Sequence, residues 1–421
     1  MTHIFRVLMM CCLMVELVWA EDVKLNVLIE EALQNNPEIL AAQQDENMAL
    51  TRPSQVHARP DPMLQVEFQN IGLNGFSVGQ KDMSMAGISF SQVFPYPGKR
   101  ALRRTVAEKE AQQTGARIQV IRASVIMGVK TAYYDLDHIH HALDVVDRTR
   151  DVLKEFEIIA QARYAVGKGV QQDVWKAQVE LSMLTEKQMM LEQMKEGLEA
   201  QLNRWLNRPI ETFLGTPERI GESVNLPPLE DFVLLAREYN PELVAARNRI
   251  GIQEAQVALM QKEYKPDFAV SAGWRSRGGL EDLYQVMVDV ELPVNRARRR
   301  QGVLEAQALV GSAQHMYRAI EETVLADVRE TLAMARTSQK LSELYEHAII
   351  PQATFSLSSA QAGYRVGQVD FLMVLDNIRT LLDSEFARHE KLVDYHKAVA
   401  RLEAMIGTPL VVQDGKLRHG H

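Results

Sequence analysis

The chain repeats its own motifs in the same order at a spacing of about 200 residues. Asn36-Pro37-Glu38 returns as Asn240-Pro241-Glu242, and QARYAVGKG at 161–169 returns as QAGYRVGQV at 361–369. An ordered repeat of this kind indicates a tandem duplication, so both halves must adopt the same internal plan. We place the boundary near Asn225-Leu226-Pro227-Pro228, because paired prolines are typical of linkers.

Each half is predicted to contain two helices, then a pair of strands, then two long helices. The strands are indicated by strict alternation of apolar and polar residues, as in Leu64-Gln65-Val66-Glu67-Phe68. The long helices are indicated by apolar residues at steps of three and four, the spacing of coiled coils. The predicted strands cover about 62–71 and 84–94 in the first repeat (21–225) and about 267–275 and 284–292 in the second repeat (226–410). The predicted long helices cover about 98–163, 171–206, 296–363 and 371–406.

The two ends of the chain are set apart from the repeats. Residues 1–20 are predicted to be a signal peptide, because an apolar run precedes small or compact residues just before Glu21. Cys11 and Cys12 both lie in that segment, so the mature chain has no disulfide, thiol nucleophile or cysteine metal ligand. Residues 411–421 are predicted to be a disordered polar tail.

Composition and motifs narrow the classes of function. The formal net charge of −8 argues against a nucleic-acid binder, which needs clustered basic surface. The sequence shows no nucleophile with a base, no carboxylate pair in a pocket and no cofactor motif. We therefore interpret the chain as a non-enzyme that uses no cofactor.

Two glycines fall inside the long helical segments, Gly167 in the first repeat and Gly367 in the second. Glycine accepts the left-handed backbone conformation that ends many helices. Each glycine is therefore predicted to form the turn between two antiparallel helices. A phosphate-binding loop is disfavoured, because the GxxxxGK[ST] pattern is missing from the sequence.

Taken together, these features resemble the TolC family of outer-membrane efflux channels over nearly the whole mature chain. The line from Phe94 to Arg100, FPYPGKR, is similar to the heavy-metal branch of that family, the CusC and CzcC relatives. The resemblance implies a mainly α fold with a small β part, built from long antiparallel coiled-coil helical hairpins and four membrane β-strands per protomer. Three protomers would complete a twelve-stranded β-barrel and an α-helical tunnel.

The resemblance also implies a function and partners. The chain would be the exit duct of a tripartite efflux system, passively conducting metal cations or small toxic compounds across the outer membrane. Its partners would be two further copies of itself, a periplasmic adaptor (membrane fusion) protein, an inner-membrane pump of the RND type and outer-membrane lipid. Two alternatives are kept: the duct of a type I protein secretion system, and a soluble periplasmic coiled-coil scaffold.

The helix tips would form the periplasmic entrance, which the family closes with tyrosine, arginine and aspartate contacts. Tyr364 and Asp173 match the family pair, and we predict that they form a hydrogen-bonded latch. An alternative is kept, in which Tyr364 is ordinary helix packing and Asp173 is an N-cap. Val369 and Met373 stand where the best-known member has arginine and a second aspartate, so the closed state must use other contacts.

Further residues complete the predicted entrance. Tyr164 and Asp376 are assigned to the aperture, Asp376 because it matches an acid of the family constriction. The turns themselves are predicted to contact the adaptor through Val166, Gly167, Lys168, Val366, Gly367 and Gln368.

Charged residues of the strands are predicted to face the lumen of the barrel, since charges on the lipid face cost about 2–4 kcal/mol at mid-membrane. Glu67, Asp289 and Glu291 lie on polar strand faces, with Arg275 opposing them in sign. A net negative lumen would favour cations. The alternative, that these acids only keep a wide lumen solvated, carries equal weight.

One histidine-rich segment is a minor candidate for metal binding. Asp137, His138 and His141 share a helix face, at spacings of three and four residues. Two or three ligands on one exposed helix hold a metal weakly, so we predict no functional metal site.

Overall fold

The computed structural model describes residues 23–71, 78–79, 83–413 and 416–418. The predicted signal peptide, 1–20, lies outside the described residues. The described part is mainly helical, with one four-stranded and one two-stranded sheet. In chain order the helices are α1 (Leu25–Asn35), α2 (Pro37–His57), α3 (Lys99–Ala165), α4 (Gln171–Leu206), α5 (Leu229–Tyr239), α6 (Pro241–Lys262), α7 (Arg296–Leu344), α8 (Ile350–Val366) and α9 (Phe371–Ile406). The strands are β1 (Met63–Gln69), β2 (Met85–Phe94), β3 (Asp267–Ser276), β4 (Leu283–Glu291), β5 (Val411–Gln413) and β6 (Lys416–Arg418).

The described residues form two compact units. The sheet unit comprises Ala41–Val120 and Arg237–Val324, and therefore takes one segment from each repeat. The helical unit comprises the described residues up to Leu40, then Ile121–Ala236, and those from Leu325 onward. The compact units are thus not the two sequence repeats, because each repeat contributes to both.

In the sheet unit, strands β1 to β4 form one antiparallel sheet in chain order. The central pairing, β2 with β3, joins the two repeats, with Ile88 opposite Trp274 and Phe90 opposite Ala272. Gly87 is needed there, because a Cβ on it would lie 2.6 Å from the Arg275 side chain. The duplication has therefore produced two hairpins that complete one sheet.

The alternation of the strands separates the sheet into two chemically different faces. One face carries apolar side chains that are largely exposed: Leu64 at 70%, Tyr284 at 84% and Val286 at 76%. The other face carries polar and small residues such as Gln65, Ser89, Ser271 and Gln285. A contiguous apolar surface of this kind requires an apolar partner or environment.

The first residue of α3 is a buried lysine. Lys99 is 2% exposed, and its ammonium lies 3.0 Å from a carboxylate oxygen of Asp267 and 3.4 Å from one of Glu263. The backbone N–H of Tyr96 donates to Asp267 Oδ1 at 2.7 Å. The Phe94–Arg100 line therefore fixes the start of α3 against the start of β3.

The helical unit is built around the coiled-coil seams that the sequence predicts. Its main core is formed by helices α3, α4, α8 and α9, which bury Leu153, Phe156, Leu184, Tyr364 and Phe371 together. Apolar side chains at steps of three and four lie on one stripe of each helix, so four stripes meet along a common core. Among the described residues, no helix has a stretch long and apolar enough to span a membrane.

Both predicted glycine turns are present and have the same geometry. Gly167 and Gly367 have φ of +70° and +81°. In each turn the glycine N–H donates to the carbonyl three residues back, Tyr164 at 3.0 Å and Tyr364 at 3.1 Å. The next N–H donates to the carbonyl five residues back, at 2.9 and 2.8 Å. These are Schellman motifs, which satisfy the last carbonyls of a helix and reverse the chain.

The second repeat departs from the prediction of one continuous helix over 296–363. Residues Tyr345–Ile349 form a π-helical segment between α7 and α8. Pro351 follows directly, and proline lacks the N–H that an α-helix needs and crowds the carbonyl four residues back. The turn before the proline is widened to the π form, which occurs mostly as single turns inside α-helices. The first repeat has no proline between Gly98 and Arg208, and α3 is continuous.

The tail also differs from the expectation of disorder over 411–421. Val411–Gln413 pairs antiparallel with Lys416–Arg418, with Val412 opposite Leu417. The sequence signal that we overlooked is Asp414-Gly415 between the two short runs, a dipeptide typical of β-hairpins.

The conformation of Gly367 allows a direct test of the turns. Gly367→Ala is expected to lower the free energy of unfolding by about 1–2 kcal/mol, because an L-residue is strained in the left-handed region. Gly197→Ala, inside helix α4 with open space around its Cβ position, is the matched control and should stabilise by about 0.5–1 kcal/mol. Thermal unfolding of the purified protein in detergent measures both. Equal effects of the two substitutions would contradict the assigned turn geometry.

Candidate functional site: the paired helix turns and the polar sheet face

In the helical unit, the two glycine turns lie against each other and are joined by Arg163. This residue is on the last turn of α3, and its Nη1 donates to the carbonyl oxygen of Tyr364 and, at 3.3 Å, to that of Arg365. Its Nη2 donates to the carbonyl oxygen of Lys168 at 3.1 Å. The guanidinium also lies 4.8 Å from the ring centroid of Tyr364. One side chain of the first repeat thus binds both turns.

Tyr364 and Asp173, predicted to be partners, are in contact. The Tyr364 hydroxyl donates to Asp173 Oδ2 at 3.3 Å, and the Tyr364 side chain is only 2% exposed. Its ring packs against Phe371 and Phe156, with centroids 5.4 and 6.4 Å apart. The ring of Tyr364 therefore takes part in ordinary helix packing, and its hydroxyl makes the predicted hydrogen bond to Asp173. The N-cap alternative for Asp173 is wrong, because Val170 occupies the N-cap of α4.

The protonation of this pair follows from burial. Burial, followed by the negative charge of Asp173, raises the pKa of Tyr364 to about 12, while the charge of Arg163 opposes the shift. Burial also raises the pKa of Asp173, against the opposing effects of the Tyr364 hydrogen bond and of Lys176 and Arg163. The tyrosine is therefore held as a neutral donor at neutral pH.

Arg163 supplies the guanidinium that joins the two turns, whereas position 369, where the best-known member of the family has arginine, carries valine. Val369 instead packs its methyl groups on Gly363, where a Cβ would lie 3.1 Å from Val369 Cγ2. Arg163 aligns with Gly363 when the two repeats are compared. Side-chain size therefore differs strongly between the two turns at this position. That difference is the sequence signal from which Arg163 could have been found.

The other predicted aperture residues do not join the Tyr364–Asp173 contact. Tyr164 is 48% exposed. Asp376 lines an open cleft between the first turns of α4 and α9, together with Trp175 and Leu372.

An ion pair at this cleft was missed by sequence reasoning. Arg379 of α9 donates through Nε to Glu180 Oε1 at 2.9 Å and through Nη2 to Glu180 Oε2. Glu180 is 7% exposed, whereas its partner arginine is half exposed. Glu180 occupies the buried stripe of α4 between Ala177 and Leu184. A carboxylate at such a position signals a basic partner on the facing helix, because buried charges are paired.

In the sheet unit, the predicted lumen residues share one face. Arg275 Nη2 lies 2.7 Å from Glu67 Oε2. The two residues, predicted to carry opposite charges on this face, therefore form an ion pair. Asp289 and Glu291 lie on the same face, opposite Ala269 and Asp267 of β3. Because Arg275 neutralises the charge of Glu67, the net negative charge of this face comes from Asp289 and Glu291 at the end of β4.

The histidine segment gains a partner that the sequence did not indicate. His389 of α9 lies beside Asp137, His138 and His141 of α3, and its ring stacks on that of His141 with centroids 4.1 Å apart. Within the described residues, no group of three or more His, Cys, Asp or Glu side chains is arranged to hold a metal ion. His389 lies 251 residues from His138 in the sequence, and the packing of α9 on α3 brings the two together. Local periodicity does not encode contacts over such a sequence separation.

Comparison with known proteins agrees with this architecture. The chain matches the family described as outer membrane efflux protein over residues 28–208 and 233–408, one segment in each repeat. It is 23% identical over 406 residues to the outer membrane protein TolC of Vibrio cholerae, covering 93% of this chain and 92% of that protein. It is 22% identical over 317 residues to the cobalt-zinc-cadmium resistance protein CzcC of Cupriavidus metallidurans, covering 74% of each.

Solved structures with the same fold include those of VceC and CusC. The outer membrane protein VceC of Vibrio cholerae superposes with a TM-score of 0.77 at 18% identity, covering 91% of this chain and 96% of its own. The transmembrane channel protein CusC superposes with a TM-score of 0.77 at 15% identity, covering 91% and 92%.

The raised pKa of Tyr364 predicts a specific loss of stability in alkali. Because the folded pKa, about 12, exceeds the ordinary value of 10.0, the contribution of this tyrosine is present below pH 10 and lost as pH rises towards 12. Tyr364→Phe should remove that loss, so wild type should fall towards the variant in melting temperature over this range. The exposed Tyr164→Phe is the control and should follow wild type. Parallel curves for wild type and Tyr364→Phe would contradict the assignment.

Proposed function

Because the chain belongs to the outer membrane efflux protein family, we propose that it is the exit duct of a tripartite efflux system. The family and its named relatives also assign the chain to the cell outer membrane. In this role the chain conducts substrate passively from a periplasmic adaptor and an inner-membrane pump to the exterior. The chain acts as a channel and not as an enzyme.

The observation that carries this proposal is the two-faced sheet. Its apolar face, with Leu64, Val66, Tyr284 and Val286, is exposed, as a surface in contact with lipid would be. Its polar face carries the Glu67–Arg275 pair. Strands β1 and β4 each leave one edge unpaired in the four-stranded sheet, and unpaired backbone groups are intolerable in lipid. Three copies of the chain joined edge to edge would close the sheet into a barrel.

The proposed cargo rests on the charge of the polar sheet face and on one relative of the chain, and the proposed adaptor contact rests on the exposed glycine turns. We assign metal cations to the duct, because the acids at the end of β4 would be tripled in a trimer and because a relative over 74% of this chain is a cobalt-zinc-cadmium resistance protein. A pump of the RND type would supply the energy. The adaptor would dock on the glycine turns, where Val166 and Val366 are 68% and 70% exposed.

The periplasmic entrance is closed by the Arg163 clamp, defined as Arg163 with the turn carbonyls it binds, and by the Tyr364–Asp173 latch. Both tie the first repeat to the second in the helical unit. Opening would require the two turns to separate and these contacts to break. The remaining aperture residues, Tyr164 and Asp376, would line the opened entrance.

Deletion of the gene tests the proposed function. Cells without it should become more sensitive to cobalt, zinc and cadmium salts, and plasmid-borne wild type, recovered with the outer membrane and extracted only by detergent, should restore resistance. Chemical cross-linking should give a trimer. Recovery in the soluble periplasmic fraction would reject the duct in favour of the scaffold alternative, and unchanged metal sensitivity would reject the assigned cargo.

Loss of the Arg163 clamp should open the duct. Hydrogen bonds to a charged group stabilise by about 1.5–3 kcal/mol, so Arg163→Gln should lower the closed-to-open ratio roughly tenfold or more. The control is Arg365→Gln, which removes an exposed ion pair with Glu155 at 2.9 Å and should change the ratio little. Conductance of single trimers in planar bilayers measures both. Equal conductance of wild type and Arg163→Gln would reject the clamp.

The acids of β4 should make the duct cation-selective. Reversal potentials under a salt gradient should show cation preference in wild type and a weaker preference in the Asp289→Asn, Glu291→Gln double variant, because each protomer loses two lumen charges. Glu281→Gln, in the β3–β4 connection, removes a charge away from the strand face and serves as control. Anion preference in wild type would contradict the predicted lumen.

A further inference from the structure

The start of helix α7, in the sheet unit, carries a dense group of positive charges. Four of its first five residues are arginine, RARRR at 296–300, and its first turn contains no acidic residue. Arg299 is engaged, since its Nε donates to the carbonyl oxygen of Glu263 at 2.7 Å. Arg296, Arg298 and Arg300 are exposed, and within the part of the chain that the structure describes their side chains form no ion pair and no hydrogen bond. We call these three residues the arginine surface.

The arginine surface does not stabilise the helix on which it lies. The N-terminal end of a helix carries partial positive charge, so cations are unfavourable there. The helix start is capped by a neutral side chain, because the backbone N–H of Arg298 donates to Asn295 Oδ1 at 3.0 Å. Three unpaired like charges within five residues also repel one another. Both costs are offset when negatively charged groups from outside the chain bind these side chains.

The arginine surface lies at the end of the sheet from which the chain continues into helices. Glu291, the last residue of β4, pairs there with Asp267, the first residue of β3. Leu292 and Val294, between β4 and α7, are 66% and 82% exposed. The exposed apolar face of the sheet is therefore followed by two exposed apolar side chains and then directly by the arginines.

Further cations lie at the same end of the sheet. Arg59, just before β1, lies 5.7 Å from the centroid of the Phe94 ring, and Lys265, just before β3, lies 6.0 Å from that of Tyr96. Tyrosines at such positions are typical of the boundary between membrane and water. At the opposite end, the β3–β4 connection over 277–282 contains one arginine, one glutamate and one aspartate, and so has no basic excess.

An apolar surface bordered by cations is complementary to a lipid leaflet with negatively charged headgroups. The apolar side chains contact acyl chains, and the guanidinium groups lie at the depth of the phosphates. Arginine suits this role, because its planar fork binds two phosphate oxygens at once. A soluble polyanion would match the charge but would leave Leu292 and Val294 exposed to water.

We propose that Arg296, Arg298 and Arg300 bind the phosphates of anionic phospholipids in the periplasmic leaflet of the outer membrane. The inference rests on the proposed function, since it requires the sheet to span that membrane with its helix-bearing end towards the periplasm. Apolar contact alone does not select among lipids. The arginine surface adds a preference for headgroup charge and fixes the depth of the sheet in the membrane.

Lipid titration of the purified, full-length protein in detergent tests the proposal. Native mass spectrometry should show tighter binding of phosphatidylglycerol, which is anionic, than of phosphatidylcholine, which has no net charge. A basic residue at an anionic lipid surface strengthens binding about fivefold. Arg296→Gln, Arg298→Gln and Arg300→Gln should therefore each weaken phosphatidylglycerol binding about fivefold, and the triple variant about a hundredfold, with phosphatidylcholine binding unchanged.

The matched control is the triple variant Arg117→Gln, Arg249→Gln, Arg318→Gln. These arginines of the sheet unit are also exposed and also form no ion pair with described residues. They lie roughly 20 Å or more along their helices from the helix ends that join the sheet, beyond the headgroup layer. The control loses the same charge and should bind phosphatidylglycerol like the parent protein.

Reconstitution separates this inference from the proposed function. Parent and triple variant should both float with phosphatidylcholine vesicles as trimers. A parent protein that does not enter vesicles would reject the proposed function and this inference with it. Normal insertion with equal binding of the two lipids would reject the inference alone, and this measurement needs no variant to fold. Trimer dissociation in the triple variant with unchanged phosphatidylglycerol binding would assign the arginines to contacts between protomers and overturn the lipid site.

Discussion

The pairing of β2 with β3 is the contact on which the sheet unit depends. Nine residue pairs, from Ala86 with Ser276 to Phe94 with Phe268, join a strand of the first repeat to a strand of the second. Without this pairing each repeat would retain an isolated two-stranded hairpin, which is marginally stable at best. The duplicated chain therefore folds as one sheet, because neither half is complete without the other.

The same dependence between repeats appears in the helical unit, through different chemistry. Backbone carbonyls at the end of a helix have no intrahelical partners, and Schellman turns satisfy only some of them. Arg163 binds the carbonyls of Tyr364 and Arg365 in the other repeat as well as that of Lys168 in its own turn. A charged donor therefore joins the two turns, and the Tyr364–Asp173 hydrogen bond adds a second cross-repeat contact at the same place.

Features with a local physical cause could be predicted from the sequence. The period-two alternation of apolar and polar residues predicted which side chains lie on each face of the sheet. Gly167 and Gly367 predicted the turns, because glycine adopts the left-handed backbone conformation without strain. Contacts that depend on which helices pack together could not be predicted. The partners of Arg163 in the second repeat, Tyr364 and Arg365, lie 201 and 202 residues away, and His389 lies 251 residues from His138. An interruption of the second-repeat helix near Pro351 could have been predicted, because proline lacks the N–H that an α-helix needs.

The central claim is that the apolar face of this sheet contacts lipid while its polar face lines a water-filled lumen. Because Cys11 and Cys12 are the two cysteines of the chain and no cysteine follows them, spin labels can be attached to single cysteines introduced at each position of β4, 283–291, in protein that has alanine at positions 11 and 12 and is reconstituted into vesicles. Accessibility to oxygen should peak at 284, 286, 288 and 290, whereas accessibility to a water-soluble nickel complex should peak at 285, 287 and 289. Uniform accessibility to the nickel complex along the strand would contradict this claim.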